Sequence, residues 1–395
     1  MLALLLAAAL LAVPAGDAEC RAADFATLEA CLADPRAADP AVEFHVLVED
    51  EIVLGVREDI LLVDRHNVVL RGAGGPVTIT ETNERNESPG GRNRYMITVS
   101  GGSAVTLADL RLRDAVPNDL AARCRAGANP DRPLRWEKGP CDPPVHVGGG
   151  VTGLRIENVD IRSDKPVLLE IRAVNGMEVS GSRFTDGSVF GILFHRNFRH
   201  EDVVIRDNEF RHIGANALVV HNAERVLIEG NRFVDDHWDL QFASCGETRS
   251  EGCTGGQLLI RDHRDQPVHD VTIVGNWIYQ TDPARATATG IEIGDADRAT
   301  LTGIRVIGNY IFGLGRQAVQ VHFGHQPGGH DVTISGNVLL GNGVAGEDGT
   351  RGPQITINEN DGVVVTANVV VDVPFSVLEA SARNLSLSAG TPTRR

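Results

Sequence analysis

The chain has 395 residues and a formal net charge of −16 at pH 7. This acidic balance disfavours DNA, RNA and anionic membrane surfaces as partners, because like charges repel one another at long range. Aromatic residues make up 5% of the chain, whereas Gly, Val, Ile and Asn are prominent. That mixture favours many short strands joined by tight turns over packed helices, so we predict an all-β protein.

The first 18 residues are predicted to be a secretory signal peptide. Residues 1–13 are almost wholly apolar, yet the run is too short to span a bilayer. Small residues suited to cleavage follow at Ala15 and Ala18. No other segment has the composition of a membrane span. The sequence therefore predicts a secreted or periplasmic protein.

Six cysteines fit an oxidising compartment. Six cysteines allow fifteen pairings, and we favour the local ones, because each closes a short segment outside the repeats described below. These pairs are Cys20–Cys31, Cys124–Cys141 and Cys245–Cys253. No C-x-x-C spacing occurs, which favours disulfides over a metal site.

A short helix is predicted within residues 21–34. One face of it is apolar and is formed by Phe25, Leu28, Cys31 and Leu32. We expect residues 19–41 to cap the first unit of the fold, because a cap hides an otherwise exposed strand edge.

From residue 177 onward one pattern recurs: apolar, any, apolar, any, small or acidic, Asn, any, apolar. The recurring asparagines are Asn208, Asn231, Asn276, Asn309, Asn337 and Asn368. Ser182 takes this position in an earlier copy, and residues 154–161 fit loosely, with Asn158 one place early. Alternation with a period of two indicates strands. Copies separated by 23 residues or more indicate stacked coils with inserted loops.

The recurring Asn has a predicted structural role. It is expected where one strand bends into the next, in a backbone conformation that Asn tolerates well. Stacked coils lie about 4.8 Å apart, so equivalent side-chain amides can hydrogen-bond along the stack. The repeat therefore predicts an asparagine ladder that satisfies buried polar groups at the corner.

A second strand precedes each repeat unit. Its first and third residues are expected to face the core, and its second and fourth to face outward. Read across successive coils, the fourth position gives His195, His221, Arg261, Gly294, His322 and Asn358, and Arg172 precedes this row. The sequence thus predicts one wall lined by imidazole and guanidinium groups, against the acidic average of the chain.

These units resemble the parallel β-helix repeats of the pectin-lyase-like superfamily, over residues 42–375. The predicted fold is a single-stranded right-handed parallel β-helix, followed by a tail at 376–395 and forming a monomer. The superfamily includes pectate and alginate lyases, uronate C5-epimerases, polygalacturonases, phage tailspikes and noncatalytic periplasmic proteins. The resemblance therefore implies a polysaccharide partner and leaves the reaction open.

Two loops, 114–145 and 235–257, are expected to overhang the wall and form a cleft. Lyases and epimerases of uronic acid polymers abstract the proton beside a carboxylate, so they need a base and a neutralising cation. We predict His221 as the base, Arg261 as the cation and His195 as a partner acid or positioning group. Further substrate contacts are predicted for Arg172, His322, His263, Glu292, Trp238 and Asp236.

Other interpretations stay open on the sequence. The wall could bind a glycan or a protein without catalysis, with its His and Arg solvated or paired with carboxylates such as Asp262. A glycoside hydrolase would use Asp236 and Asp239 as its carboxylate pair. The segment Pro267-Val268-His269-Asp270 departs from the Asp-Pro-His-Asp of alginate C5-epimerases. The wall lacks the lysine and the Asp cluster of pectate-type lyases, so no metal ligand is assigned, and calcium is the one cofactor left open.

Overall fold

The computed structural model describes residues 18–55, 58–82, 95–114, 141–236, 256–262, 266–281, 289–294, 301–322, 331–343, 354–358, 362–371, 377–380 and 386–388. Within them the chain forms a parallel β-helix, because every strand pairing is parallel and joins equivalent strands of successive coils. The β-helix predicted from the repeat is therefore confirmed. The described residues contain no helix with the length and apolarity needed to span a bilayer.

One sheet, which we call the first wall, contains the strands that precede each repeat unit. Its strands are Ile60–Val63, Ile97–Ser100, Val145–Gly148, Val167–Ile171, Phe190–Phe194, Asn216–His221, Gly256–Arg261, Thr289–Gly294, Val319–His322, Ile355–Asn358 and Val377–Ala380.

The second sheet forms two further walls that meet at the asparagine corner. The second wall precedes this corner and contains Ala18–Ala22, Phe44–Val48, Val68–Gly72, Val174–Ser180, His200–Arg206, Ala223–Glu229, Val268–Val274, Leu301–Thr302, Ile304–Ile307, Val332–Ser335, Val363–Thr366 and Ser386–Ser388. The third wall follows the corner and contains Ile52–Leu54, Val77–Glu81, Arg183–Thr185, Glu209–Arg211, Arg232–Val234, Trp277–Tyr279, Tyr310–Phe312, Val338–Leu340 and Val369–Val371. Two longer strands, Thr106–Arg113 and Val151–Arg162, run through both walls.

The predicted asparagine ladder is present. From Asn208 to Asn337, the backbone amide of each ladder residue donates to Oδ1 of the next ladder Asn at 2.9–3.0 Å. Each Nδ2 also donates to a backbone carbonyl of the preceding coil at 2.8–3.0 Å. Ser182 begins the ladder, with its amide donating to Asn208 Oδ1 at 2.9 Å. All six asparagines are buried, so the ladder satisfies polar groups that water cannot reach.

The backbone at this corner differs from the prediction. The left-handed conformation belongs to the residue before each ladder Asn, such as Asp207 with φ 57° or Gly230 with φ 64°, and not to the Asn itself. Asn158 occupies that preceding position with φ 52°, and Val159 takes the ladder position, where its amide donates to Ser182 Oγ at 3.1 Å. The expectation that the ladder Asn adopts the unusual conformation was wrong, because the residue before it takes the turn, and this residue is Gly or Asp except at Ala367 with φ 54°.

The interior of the coils is a continuous apolar core. Phe184, Phe210 and Phe233, on successive third-wall strands, stack with ring centroids 5.0 and 4.9 Å apart. Burying each such side chain contributes about 1.5–3 kcal/mol. The core therefore fixes the register on which the outward rows depend.

At the amino-terminal end, the predicted helix is observed as Phe25–Leu32, followed by a 3-10 helix at Pro35–Ala38. The helix begins with a capping box between Asp24 and Thr27. The predicted disulfide Cys20–Cys31 is present. Cys141 is also disulfide-bonded, whereas its predicted partner Cys124 and the predicted pair Cys245–Cys253 lie outside the described residues.

The parallel sheets extend past the predicted limits of the β-helix at both ends. Ala18–Ala22 pairs with Phe44–Val48, so a strand precedes residue 42. After residue 375, Val377–Ala380 and Ser386–Ser388 add one strand to each sheet. Of the two predicted cleavage positions, the one after Ala15 leaves the first strand whole.

Candidate active site on the first wall

The outward row predicted from the sequence lies in register on the first wall. His221 pairs with Arg261, Arg261 with Gly294, Gly294 with His322, and His322 with Asn358. Arg172 and His195 directly follow the strands Val167–Ile171 and Phe190–Phe194. Adjacent parallel strands are about 4.8 Å apart. The order Arg172, His195, His221, Arg261 therefore runs along four neighbouring coils, with two imidazoles between two guanidinium groups.

The two arginines of this row differ in their partners. Arg172 Nε donates to Glu170 Oε1 at 3.4 Å. The Nε of Arg261 is buried and has no hydrogen-bond partner, and Arg261 forms no ion pair with any other described residue. A buried guanidinium N–H without a partner is costly, so this position suits an anionic ligand.

A polar cluster that the sequence analysis missed lies at the amino-terminal end of the row. The rings of Tyr95 and His146 are stacked, with centroids 4.3 Å apart. His146 Nδ1 lies 3.1 Å from Glu170 Oε2, and Glu170 also binds Arg172. Tyr95, His146 and Glu170 are all buried. Glu170 therefore joins the stacked pair to the first arginine of the row.

The ionisation of this cluster follows from its charges. Burial raises the pKa of Glu170, but the hydrogen bond with His146 and the charges of Arg172, His146 and His195 outweigh it, so its pKa lies below the ordinary value. Burial, with the charges of Asp142 and Glu170, raises the pKa of the Tyr95 hydroxyl. At neutral pH Glu170 is therefore an anion and Tyr95 keeps its proton.

His195 has a defined tautomer when it is neutral. The backbone amide of Asn197 donates to His195 Nδ1 at 3.3 Å, which leaves the proton on Nε2. The ring is held edge-to-face against Phe198, 5.6 Å between centroids. Behind it, His200 Nε2 lies 3.3 Å from the His195 carbonyl, and burial lowers the pKa of His200 to about 4. His195 therefore offers a donor N–H, supported by a neutral histidine.

The strand position two residues before the row is apolar in the middle coils. It is occupied by Leu193, Val219 and Leu259, which pack with Val167 and Phe190 into a small cluster separate from the main core. The same position carries His146 and Glu170 earlier in the chain, and Glu292 later. The row of basic groups thus borders an apolar surface with polar groups at both ends.

The remaining predicted contacts are distributed unevenly. Glu292 is 1% exposed, and its Oε2 accepts from the Gly256 amide at 3.1 Å. His322 lies in the row by register, and its side chain is outside what the structure describes. Trp238, Asp239 and His263 also lie outside the described residues.

Asp236 differs from its predicted role in substrate contact. It is fully buried, and its Oδ1 accepts from the Ile213 amide at 2.9 Å. Burial raises the pKa of this carboxyl well above its ordinary value, and the charge of Asp235 adds to the effect. A carboxyl inside the wall cannot reach a polymer, which argues against both the predicted contact and a hydrolase that uses Asp236.

The described part of the first wall offers no metal site. Among the residues that the structure describes, no group of three or more His, Cys, Asp or Glu side chains is arranged to hold a metal ion. Calcium prefers six to eight oxygen ligands, and the Arg–His row offers none. The described part of the wall therefore does not fit the calcium that the superfamily resemblance left open.

The missed cluster had a partial signal in the sequence. His146 and Glu170 stand at the second, outward position of first-wall strands, which the same alternation predicts to be exposed to the cleft. Tyr95 precedes the strand Ile97–Ser100 and belongs to no repeat. Its contact with His146 depends on how the coils stack.

No model of a known protein family matches the chain, and no curated protein matches it either. Among solved structures, it is similar to an exopolygalacturonase from Thermotoga maritima, at 13% identity and a TM-score of 0.49 over 94% of this chain and 91% of that one. It is also similar to the A-module of the Azotobacter vinelandii mannuronan C-5 epimerase AlgE6, at 14% identity and a TM-score of 0.43, over 94% of this chain and 100% of that one. A third similar structure is the Streptococcus pneumoniae surface protein and adhesin PfbA. It has 11% sequence identity and a TM-score of 0.44, over 91% of this chain and 94% of that one.

At such identities and TM-scores these likenesses carry no argument about the reaction, because one fold carries many reactions. The parallel β-helix itself is established by this chain's own strand pairing.

Proposed function

We propose that the protein is an exported enzyme that acts on a uronic acid-containing polysaccharide by β-elimination or C5-epimerisation. The observation that carries this proposal is the guanidinium of Arg261, which is partly buried, has no partner on Nε among the described residues, and neighbours His221 in register. A uronate carboxylate can pair with the part of this guanidinium that remains exposed. It also brings the acidic C–H bond next to an imidazole.

The two reactions share their first step. His221 removes the proton from C5 of a uronate, and the electron pair moves into the carboxylate, whose growing charge Arg261 neutralises. Elimination then breaks the C4–O bond, and the leaving oxygen takes a proton. Epimerisation instead returns a proton to the opposite face of C5. His195, with its proton on Nε2, is the proposed donor to the leaving oxygen in elimination, and in epimerisation solvent delivers the proton to the opposite face.

Glu170 supports this division of roles. By holding Arg172 through its Oε1 and His146 through its Oε2, it neutralises one end of the row and leaves Arg261 as the cation without an acidic partner among the described residues. Arg172 and His146 are proposed to orient a neighbouring sugar. Export is proposed from the amino-terminal signal, and the two disulfide-bonded cysteines of the first strand and helix agree with an oxidising compartment.

The test is a screen of the purified protein on polygalacturonate, mannuronan, hyaluronan and neutral dextran. Ultraviolet absorbance reports the unsaturated product of elimination, solvent deuterium entering C5 reports epimerisation, and reducing ends report hydrolysis. The His221→Ala variant should lower the rate on the accepted polymer by about 10²–10⁴-fold, as expected for a lost general base. The matched control is His45→Ala, on the second wall, which should keep the full rate.

Three outcomes contradict the proposal. Reducing ends without absorbance would indicate a hydrolase. Retention on a polymer gel with no turnover would indicate a binding protein. Equal rates for His221→Ala and the parent would remove His221 from the reaction.

A further inference from the structure

The outward positions of the third wall carry a second row of arginines, on a different sheet from the first wall. In register, one column runs Arg111, Asp160, Arg183, Glu209, Arg232, Trp277 and Tyr310. The neighbouring outward column carries Arg113, Arg162 and Arg211. The first column therefore alternates in charge over five coils and then becomes aromatic.

The acidic members of this surface are already paired. Asp160 accepts from Arg113 at 2.5 Å, and Glu209 lies 3.7 Å from Arg183. Arg162 is paired in turn with Asp186 just past the wall, at 2.7 Å.

Three arginines are left over. Arg111, Arg211 and Arg232 are exposed and form no ion pair with any residue in the described part of the chain. The only hydrogen bond of the Arg232 guanidinium within that part is to Tyr279 Oη, at 3.2 Å. On a protein of net charge −16, this wall holds a local surplus of positive charge.

A groove follows the same column. It has a volume of about 500 Å³, and the side chains of Arg111, Arg183 and Arg232 line it together with the turn residues of the asparagine corner. Asp207 also lines it, and that carboxylate lies 3.4 Å from Arg206. The groove thus extends along the coil axis and presents guanidinium groups on alternate coils.

Exposed aromatic rings continue this surface after Arg232. Trp277 and Tyr310 are 46% and 42% exposed, and their rings stack at 4.7 Å between centroids. Tyr279 and Phe312 stack beside them at 4.8 Å. Large exposed rings beside unpaired arginines are typical of a binding surface rather than of a solvated wall.

We propose that this groove is a second, noncatalytic binding site for an anionic polysaccharide that lies along the coil axis. The choice of polymer rests on the proposed function, because a carboxylated chain is the expected substrate. Arg111, Arg183 and Arg232 recur every second coil, about 9.6 Å apart, so they match an extended chain whose anionic groups also recur at intervals. Trp277 gives the apolar contact at one end of the chain.

The test measures binding in the His221→Ala background, so that the polymer is not consumed. Affinity for polygalacturonate is compared with that for neutral dextran at low and high salt. The Arg111→Gln/Arg232→Gln variant should weaken polygalacturonate binding roughly tenfold at low salt, since two exposed charge contacts of the groove are lost and salt screens the rest. Binding to dextran should not change.

The matched control is Arg155→Gln/Arg305→Gln, which removes two exposed arginines of the second wall and alters the net charge equally. It should keep the parent's affinity. Equal losses in both variants would mean general electrostatic attraction, and no loss in the Arg111→Gln/Arg232→Gln variant would mean that the groove is not used. Binding to anionic phospholipid vesicles in place of the polymer, with the same variant dependence, would also overturn the proposal.

This test separates the two proposals. If the first wall is not the active site, turnover will persist in the His221→Ala variant. If the third-wall groove is not a binding site, binding will persist in the Arg111→Gln/Arg232→Gln variant, whatever the reaction.

Discussion

The asparagine corner and the first-wall row are built on the same stacked coils, yet they treat polar groups in opposite ways. At the corner one residue type repeats six times, and from Asn208 to Asn337 each buried backbone amide is satisfied by the next coil. In the row the residue changes from coil to coil, and the Nε of Arg261 is buried without a partner among the described residues. Repetition with full satisfaction serves the fold, whereas variation with an unmet hydrogen bond points to a ligand.

The corner that follows the third wall shows the same contrast between a satisfied and an unsatisfied buried polar group. Asn342 and Asp236 each lie three residues after the buried residue of a third-wall strand. Asn342 Nδ2 donates to Ile311 O and Gln354 Oε1, both at 2.9 Å, and Gln354 Nε2 donates back at 2.7 Å. At the other coil, Asp236 Oδ2 and both side-chain polar atoms of the equivalent Gln257 have no hydrogen-bond partner among the described residues. The carboxyl thus takes the place of an amide.

The largest expected effect is on the row. Arg261→Ala should lower the rate on the accepted polymer by about 10²–10³-fold, because a preorganised donor is lost where charge develops. Arg261→Lys should recover only part of the rate, since a single ammonium does not reproduce the planar fork. Steady-state rates check this, with Arg305→Ala as the control on the second wall. A full rate in the Arg261→Ala variant would mean that the Arg261 guanidinium takes no part in the reaction.

On the corner, Asn276→Ala should lower the free energy of unfolding by about 3 kcal/mol, because the Asn231 amide loses its acceptor inside the core. Urea unfolding followed by circular dichroism measures it. Asn175→Ala, at an exposed position of the second wall, should change stability by less than about 0.5 kcal/mol. If both variants unfold alike, the ladder does not stabilise the fold.

Asp236→Asn should raise the free energy of unfolding by about 2 kcal/mol at pH 7, since the new amide can donate as Asn342 does. The folded-state pKa of Asp236 lies above its unfolded value of about 3.9. The parent is therefore favoured below that pH and loses stability as the pH rises toward the folded pKa. Thermal unfolding across pH should show the gain of the variant shrinking in acid.

The reciprocal change serves as the control for Asp236. Asn342→Asp should destabilise the protein at neutral pH and lose that effect in acid. A gain from Asp236→Asn that stays constant with pH would contradict a protonated carboxyl in the folded state.

Glu170→Gln should have the smallest effect, a loss of about 1 kcal/mol at neutral pH. The pKa of Glu170 lies below its ordinary value, so its ionised form stabilises the fold above about pH 4.3, and this contribution is lost as the pH falls through the folded pKa. The loss should therefore vanish in acid. The comparison is Thr356→Val, farther along the same wall, which should show no such pH dependence. A loss that persists in acid would mean that the Glu170 charge plays no part.

Much of the fold followed from the sequence because the coil repeats its hydrogen bonds. Asn208 through Asn368 were predicted as a ladder, and the register of His221 with Arg261 was predicted from alternation alone. Asp236 was misjudged, since an acidic residue before a loop has the same pattern whether it faces solvent or the core. Tyr95 was not identified, because nothing in its neighbourhood repeats. The turn conformation was assigned to the wrong residue, because Asn and the Gly or Asp before it both suit a turn.

The sequence by itself determined that this chain stacks β coils, where each corner lies, and which residues share a row, because a period of two and a recurring amide leave one way to satisfy the backbone. Only the tertiary structure decided which members of those rows have partners. Arg172 donates a hydrogen bond to Glu170, whereas the Nε of Arg261 has no partner among the described residues. Tyr95 stacks on His146 across coils. Such pairings depend on side-chain directions and burial, which residues distant in the chain acquire when the coils pack.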